Sequence, residues 1–381
     1  MKPKGIESVL VTGGCGFIGS HTVDLLVERG YDVTILDNLE HQVHGETGNV
    51  PNYVNKVSTF IQGDIRDRQL LKRVIKDADA IIHLAAMVGV GQSMYDIERY
   101  IDANTKGSAT VLDVVVNEKN KVKKLVVASS MSIYGEGKYY CQKCDVDIYP
   151  GLRSEEALRR QEWEQLCPRC GSALTPEPTD EGKPLMPTSI YAMAKRHQEE
   201  MFLLIGKTYG IPSVALRYFN AYGSRQALSN PYTGCAAIFT SRILNNKRPY
   251  IFEDGDQTRD FVHVKDVARA NVSALESTSA NYEAINVGTG KPITIKGLAE
   301  KLIKLYGKRL KPLLSSEYRK GDIRHCYADI EKGRKLLNFK ATTEISEGLM
   351  ELSGWAASNN WGSAESFDKA FKELKERRLV S

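Results

Sequence analysis

The chain has 381 residues, 42% of them hydrophobic, and its 52 basic and 47 acidic side chains leave a formal net charge of +5. That is enough apolar content for a core in one large or two moderate domains, while the mild, interleaved charge argues against a nucleic-acid partner. The start moves into a strand-like run with no apolar leader, and no later stretch approaches the roughly 18 apolar residues of a membrane span, which predicts a cytoplasmic protein with no membrane partner.

Short β-branched runs at Val9–Thr12, Val33–Leu36, Thr59–Gln62, Ala80–His83, Leu125–Ala128 and Val214–Arg217 read as buried parallel strands. Between them Ser20–Glu28, Gln69–Ile75, Tyr100–Val116 and Tyr191–Thr208 carry helical periodicity. Strand alternating with helix predicts an α/β fold with a doubly wound parallel sheet of the Rossmann kind. The expected organisation is a cofactor-binding domain over residues 1–222, interrupted by an insertion at 136–186, and a smaller α/β substrate domain over 223–381. Segments near 260–290 are expected to return to the first domain. A helix is expected near Ala236–Leu244, and a short surface helix carrying Trp163 and Leu166 within Leu152–Leu166.

Gly13, Gly16 and Gly19, with Phe17 and Ile18 between the last two, follow the first strand and open a helix. A tight turn, close approach of backbone amides to a pyrophosphate and close helix–strand packing each need a glycine there. Asp37, followed by Asn38, ends the next strand at about the ~20-residue distance where an acidic side chain binds a ribose diol. Its carboxylate would repel a 2′-phosphate, so NAD is expected rather than NADP. Asp64 and Ile65 after the third strand suggest an adenine contact, and Leu84, Ala85 and Ala86 after the fourth leave room for a dinucleotide.

The proton chemistry lies further on. Tyr191 and Lys195 are four apart on one helix face, and Ser129, Ser130, Met131 and Ser132 end a strand. A phenol is a poor base near neutral pH, but the Lys195 ammonium and an oxidised nicotinamide would both favour the Tyr191 phenolate, with Lys195 also binding the nicotinamide ribose. Ser130 would orient or relay the proton that Tyr191 removes. Alone, a Tyr-x-x-x-Lys is common on amphipathic helices; joined to the glycine motif it marks a redox site.

These motifs, with Asn104-Thr-Lys-Gly107, Arg217-Tyr-Phe-Asn-Ala-Tyr-Gly223, Arg259-Asp-Phe-Val-His-Val-Lys-Asp266, Asn286-Val-Gly-Thr-Gly290 and Arg319-Lys-Gly-Asp322, resemble the extended short-chain dehydrogenase/reductase family in its NAD-dependent nucleotide-sugar epimerase/dehydratase branch. The resemblance implies that Asn104, Ser129 and Tyr218 join the cofactor site. It also implies that Asn220 meets the sugar or first phosphate, that Arg259 and Arg319 grip the diphosphate beside Asp322, and that Val88, Gln226, Asn230 and Tyr232 line the rest of the substrate pocket. Dehydrating relatives resemble an Asp–Glu pair where this chain has Met131 and Ser132; decarboxylating relatives place a Glu, and 3,5-epimerising relatives a Cys, at the Ser132 position. Hydride removal and return is what remains, which implies a 4-epimerase.

The insertion and the Ser229-Asn-Pro-Tyr-Thr-Gly234 loop look most like the dTDP-L-rhamnose 4-epimerase subgroup. UDP-glucose and UDP-N-acetylglucosamine 4-epimerases, a nucleotide-sugar 4-ketoreductase and a non-catalytic NAD- or nucleotide-sensing protein stand as alternatives. A bulky Tyr gate of UDP-galactose epimerases looks replaced by Cys326, implying a roomier pocket. The helices at Tyr100–Val116 and Tyr191–Thr208 would, by the same resemblance, pair in a homodimer.

Cys141-x-x-Cys144 and Cys167-Pro-Arg-Cys170 have the spacing of two zinc knuckles, and four thiolates favour a closed structural zinc site. Rubredoxin-style iron and free cysteines in a loop are the alternatives. Cys15, Cys235 and Cys326 read as small buried or pocket residues.

Overall fold

The structure is a computed structural model that describes residues 3–45, 48–228, 230–232, 234–358 and 365–381. Ser229 and Thr233 of the expected pocket loop lie outside the described residues.

Seven parallel strands form the main sheet, in the spatial order Glu283–Val287, Ser213–Tyr218, Lys124–Ser130, Ala80–His83, Ser8–Thr12, Asp32–Asp37, Thr59–Gln62. Six match the expected runs to within one or two residues. Their alternate residues feed two separate cores: Val9, Val11, Val33, Ile35 and Ile82 pack on one face, and Leu10, Leu36, Ile81, Leu125 and Val127 on the other. Both faces being covered is why the runs are continuously apolar.

The first face is covered by the glycine helix Phe17–Glu28 and by Val264–Glu276, which pack on each other and are tied by a buried bond from Asn271 Nδ2 to Thr22 Oγ1 of 3.0 Å. Helices Arg68–Ile75, Gly107–Asn117 and Ile190–Tyr209 cover the second. The helix expected as one piece over Tyr100–Val116 is divided: a π-helical turn, Ile101–Lys106, separates the single turn Ile97–Tyr100 from Gly107–Asn117. The widened turn lets Asn104 reach the Met87 backbone, a use of π-turns that recurs near functional sites.

After residue 222 a second core gathers around Phe239, Leu298, Leu302 and Leu352, from helices Cys235–Leu244, Ile295–Leu305 and Ile345–Ser358. The strand Thr258–His263 is central here, with Asn220–Tyr222 and His325–Cys326 pairing parallel to it and Pro292–Thr294 antiparallel. No helix among the described residues is long and apolar enough to cross a membrane.

The insertion is a small antiparallel sheet, Lys138–Cys141 flanked by Val146–Ile148 and Thr175–Glu177, around a core of Tyr139, Cys141, Ile148, Cys167 and Leu174. The helix expected within Leu152–Leu166 is confined to Glu155–Arg159, capped by Ser154. Gln161, at a φ of 58°, follows its end; Glu164 then meets His325 while Gln165 turns back to Glu136, leaving Trp163 and Leu166 off the helix.

Candidate active site

One cavity of about 650 Å³ opens at the carboxyl ends of the sheet strands, where the strand order reverses between Ser8–Thr12 and Ala80–His83. With the exceptions of Asn104 and Cys326, every described residue expected in the cofactor or substrate site lines it. Asn104 is fully buried. Its Oδ1 accepts from Met87 N at 2.7 Å and its Nδ2 donates to Met87 O at 3.0 Å, so it shapes the loop behind the cavity wall.

The glycine turn is dictated by contact. Gly13 has a φ of 73° and a side chain there would stand 2.8 Å from the Ala85 backbone; a side chain on Gly19 would meet Gly13 O at 2.1 Å. Asp37 is buried and its two oxygens accept from Cys15 N at 3.0 Å and Leu39 N at 2.9 Å. Arg66, which sequence reading missed, lines the same end and, by its forked bonds, holds the Asp64 carboxyl down at about 2. His83 stacks on Phe202 and binds Thr12 Oγ1 and Ser108 Oγ, each at 2.8 Å. Burial, with Lys195 adding to it, pushes its pKa to about 3, so it is a neutral packing residue. Ser129 Oγ and Asn220 Oδ1, both buried atoms of cavity-lining residues, have no hydrogen-bond partner among the described residues, which suits a polar ligand in the cavity.

At the centre stand the three residues expected to do chemistry. Helix Ile190–Tyr209 starts at Ser189, whose side chain accepts from Ala192 N, and Ser93 Oγ accepts from Tyr191 N at 3.0 Å. Ser130 Oγ accepts from Ser132 N at 3.1 Å and from Ser132 Oγ at 2.9 Å. Its own proton is thereby left to be donated. Lys195 Nζ donates to Ala128 O at 3.0 Å.

Burial sets the electrostatics of the pair. Burial pushes the Tyr191 pKa up to about 12, with the Ser130 hydrogen bond pulling the other way, and burial lowers Lys195 to about 7. Each group loses water that would solvate its charged form, so the protein's own residues do not hold a phenolate at Tyr191.

Toward the second core Arg259 and Arg319 share Asp322: Arg259 Nη2 lies 3.2 Å from Oδ1, and Arg319 Nε lies 3.0 Å from Oδ2. Burial would raise the Asp322 carboxyl, but Arg319 and then Arg259 keep it below its usual value. Two guanidinium groups against one carboxylate leave a net positive site suited to an anion.

Sequence reading missed the opposite wall. Phe367, Ala370, Phe371 and Leu374 of the C-terminal helix Glu365–Glu376 line the cavity, and the Phe371 ring packs at a tilt against Tyr250, centroids 4.8 Å apart. Their spacing is an apolar stripe in an otherwise charged segment, which is the signal that could have found them. Cys326, the expected roomy gate, does not line the cavity; it is buried beside Met131, Tyr134 and Phe219, with Sγ 3.7 Å from Thr179 Oγ1.

The four insertion cysteines converge. Cys141 and Cys170 Sγ are 3.6 Å apart, Cys144 and Cys167 3.9 Å, and one sulfur from each of the four lies within 4.8 Å of the others. Sulfurs about 2.3 Å from a shared zinc stand roughly 3.8 Å apart along tetrahedral edges, so the set fits that ion. The two knuckles turn alike: Asp145 N donates to Cys141 O and Gly171 N to Cys167 O, each at 2.8 Å, with positive φ at Asp145 and Gly171.

Residues 9–154 and 166–288 match the NAD dependent epimerase/dehydratase family. The chain belongs to this family, and with it to the NAD-dependent epimerase and dehydratase enzymes, as its motifs implied. The break in the match falls inside the insertion. A Methanocaldococcus jannaschii protein provisionally named UDP-glucose 4-epimerase is 35% identical over 92% of this chain and 99% of its own length. The dTDP-L-rhamnose 4-epimerase of Burkholderia thailandensis is 32% identical over 92% of this chain and 95% of its own. Among solved structures, the UDP-N-acetylglucosamine 4-epimerase of Methanobrevibacter ruminantium, in complex with UDP-N-acetylmuramic acid, superposes with a TM-score of 0.75 at 33% identity, covering 94% of this chain and 99% of that one.

Proposed function

We propose that the chain is a nucleotide-sugar 4-epimerase that inverts the fourth carbon through a transient 4-keto sugar, acting on a dTDP-deoxysugar such as dTDP-L-rhamnose. Family membership and relatives named as 4-epimerases of dTDP- and UDP-sugars support the reaction. The observation that carries it is the floor of the cavity: Ser130, Tyr191 and Lys195 stand together, and the adjoining Met131 and Ser132 supply no carboxylic acid to protonate a leaving hydroxyl.

NAD, when bound, would supply the acceptor and donor of the hydride and, in its oxidised form, a positive charge that favours the Tyr191 phenolate. Gly13, Gly16, Phe17, Ile18 and Gly19 would cradle its pyrophosphate and Asp37 its ribose diol, with Asn38, Asp64, Ile65, Leu84, Ala85, Ala86, Ser129, Tyr218 and Lys195 around it. Tyr191 takes the 4-hydroxyl proton while Ser130 donates its free proton to hold the same oxygen. The sugar turns over in the pocket, and the proton returns from Tyr191. Val88, Met131, Ser132, Asn220, Gln226, Asn230 and Tyr232 position the sugar and nucleotide; Arg259 and Arg319, steadied by Asp322, bind the diphosphate.

In this reading residues 1–222 hold cofactor, 223–381 hold substrate with 260–290 returning to the sheet, and zinc on Cys141, Cys144, Cys167 and Cys170 closes the 136–186 insertion. Closing a long detour limits the chain's freedom between Ser130 and Tyr191. A homodimer joined through the helices around residues 100–116 and 190–209 completes it; Ile97, Met193 and Leu204 present exposed apolar side chains there.

The test is incubation with dTDP-, UDP- and GDP-sugars without added reductant, resolving 4-epimers by NMR. A dTDP-deoxysugar epimer at substoichiometric NAD is expected. Preference for UDP-glucose or UDP-N-acetylglucosamine would replace the substrate, and net NADH consumption on a keto-sugar without epimer would overturn the reaction. Zinc below about half an equivalent per chain would count against the metal site.

A further inference from the structure

The loop that carries Asp322 is held from behind by the insertion. Arg153, which belongs to the insertion, is 3% exposed; its Nη1 and Nη2 make a forked pair with Glu253 at 2.9 Å each, and Nη2 also donates to Asp322 O at 3.3 Å. Glu253, 2% exposed, receives a further bond from Arg324 Nη1 at 3.0 Å.

Arg324 is itself 1% exposed and is tied to Glu164 of the insertion, with Nε 2.8 Å from Oε1, and to Asp254. His325 Nε2 stands 3.0 Å from Glu164 Oε2. Glu136, at the start of the insertion, accepts from Arg324 N and His325 N at 2.8 Å each and from Tyr139 Oη at 2.8 Å. Tyr139 packs directly in the cysteine core.

From the cavity side, Arg259 donates to Ile323 O at 2.7 Å and Arg324 O at 2.9 Å, besides its bond to the Asp322 carboxylate. Residues 322–325 are therefore a thin partition. One side is held by the insertion, and the other carries the arginines that face the cavity.

We propose that Arg153 is a positioning residue for the substrate's diphosphate, the means by which the four-cysteine insertion sets the Asp322 loop and, through it, Arg259 and Arg319. This rests on the nucleotide-sugar reading above. Buried, multiply bonded charges have few alternative arrangements, so losing one member shifts its partners instead of merely weakening them. Lysine cannot substitute fully, because one ammonium cannot fork across Glu253 and still reach Asp322 O.

The experiment uses full-length, zinc-loaded protein and dTDP as probe, with affinity read by calorimetry alongside KM, kcat, NAD content and zinc content. Arg153→Ala should raise the dTDP Kd and the sugar-nucleotide KM by about ten-fold, with kcat, NAD and zinc unchanged, and Arg153→Lys should recover part of the loss. Glu164→Gln, at a half-exposed position, should shift both in the same direction by less. It serves as the main test if Arg153→Ala does not fold. Chelating the metal from the wild type should weaken dTDP while NAD stays bound. Unchanged dTDP affinity and KM in folded, zinc-loaded variants would overturn the inference, as would a parallel loss of NAD. Wild-type protein that binds neither dTDP nor UDP would instead overturn the substrate reading, and the inference with it.

Discussion

At the cofactor end of the cavity the turn Gly13–Gly19 offers backbone amides, and its shape is fixed by contacts with the neighbouring strands. At the other end, proposed to take the diphosphate, the polar surface consists of side chains from Thr258–His263 and Arg319–Asp322, backed by an insertion that begins at residue 136. The first is local: a few residues within one strand–turn–helix unit satisfy it. The second is assembled from distant segments and is only as well placed as its weakest support. Loss of the insertion should therefore separate the two ends, sparing cofactor and weakening substrate. The two ends also handle charge differently. Asp322 is flanked by two guanidinium groups, while Lys195 is buried against the Ala128 carbonyl and its pKa falls to about 7.

The sharpest way to test this division is Tyr191→Phe, which removes the proton acceptor while touching neither end. Epimer formation should drop by roughly 10²–10⁴-fold. NAD content and dTDP affinity should both persist, and loss of either would mean that the tyrosine also builds a binding surface.

Gly19→Ala attacks the cofactor end alone. The added carbon would meet Gly13 O at 2.1 Å, so the turn must open, at a cost of about 1–3 kcal/mol. NAD retention after gel filtration should fall while dTDP affinity is kept; an equal fall in both would show that the ends are mechanically one.

A pH-dependent effect concerns Lys195. In the unfolded chain a lysine keeps its proton up to a pKa of about 10.4, whereas here burial lowers it to about 7. Between those values the unfolded chain binds more protons, so this group makes the fold gain stability as pH rises from 7 toward 10 and costs most below 7. Lys195→Met should flatten the rise of Tm between pH 7 and 9.5, measured by thermal denaturation; an unchanged slope would place the titration elsewhere.

Much of the cofactor end was legible because its signals are short-range. Six strands are readable from continuous apolar runs, and the seventh, Glu283–Val287, shows only as a motif because its helix and strand follow a long excursion through the second core. Asn104 reads from the sequence as a cofactor contact, whereas its amide bonds the Met87 backbone behind the cavity wall, which nothing local signals. Cys326 was assigned to the pocket and proved to be behind it. The C-terminal helix went unread, although its stripe from Phe367 to Leu374 was there to be seen.

The sequence by itself determined the doubly wound sheet, the glycine turn, the Ser130–Tyr191–Lys195 set and the pairing of cysteines into two knuckles, because each depends on residue type at fixed local spacing. Tertiary structure alone decided that Tyr191 is raised and Lys195 lowered, since burial is a property of the whole surround. It alone also joined the insertion to Asp322, since bonds such as Arg153–Glu253 and Glu136–His325 span long stretches of chain that carry no periodic trace of their partners.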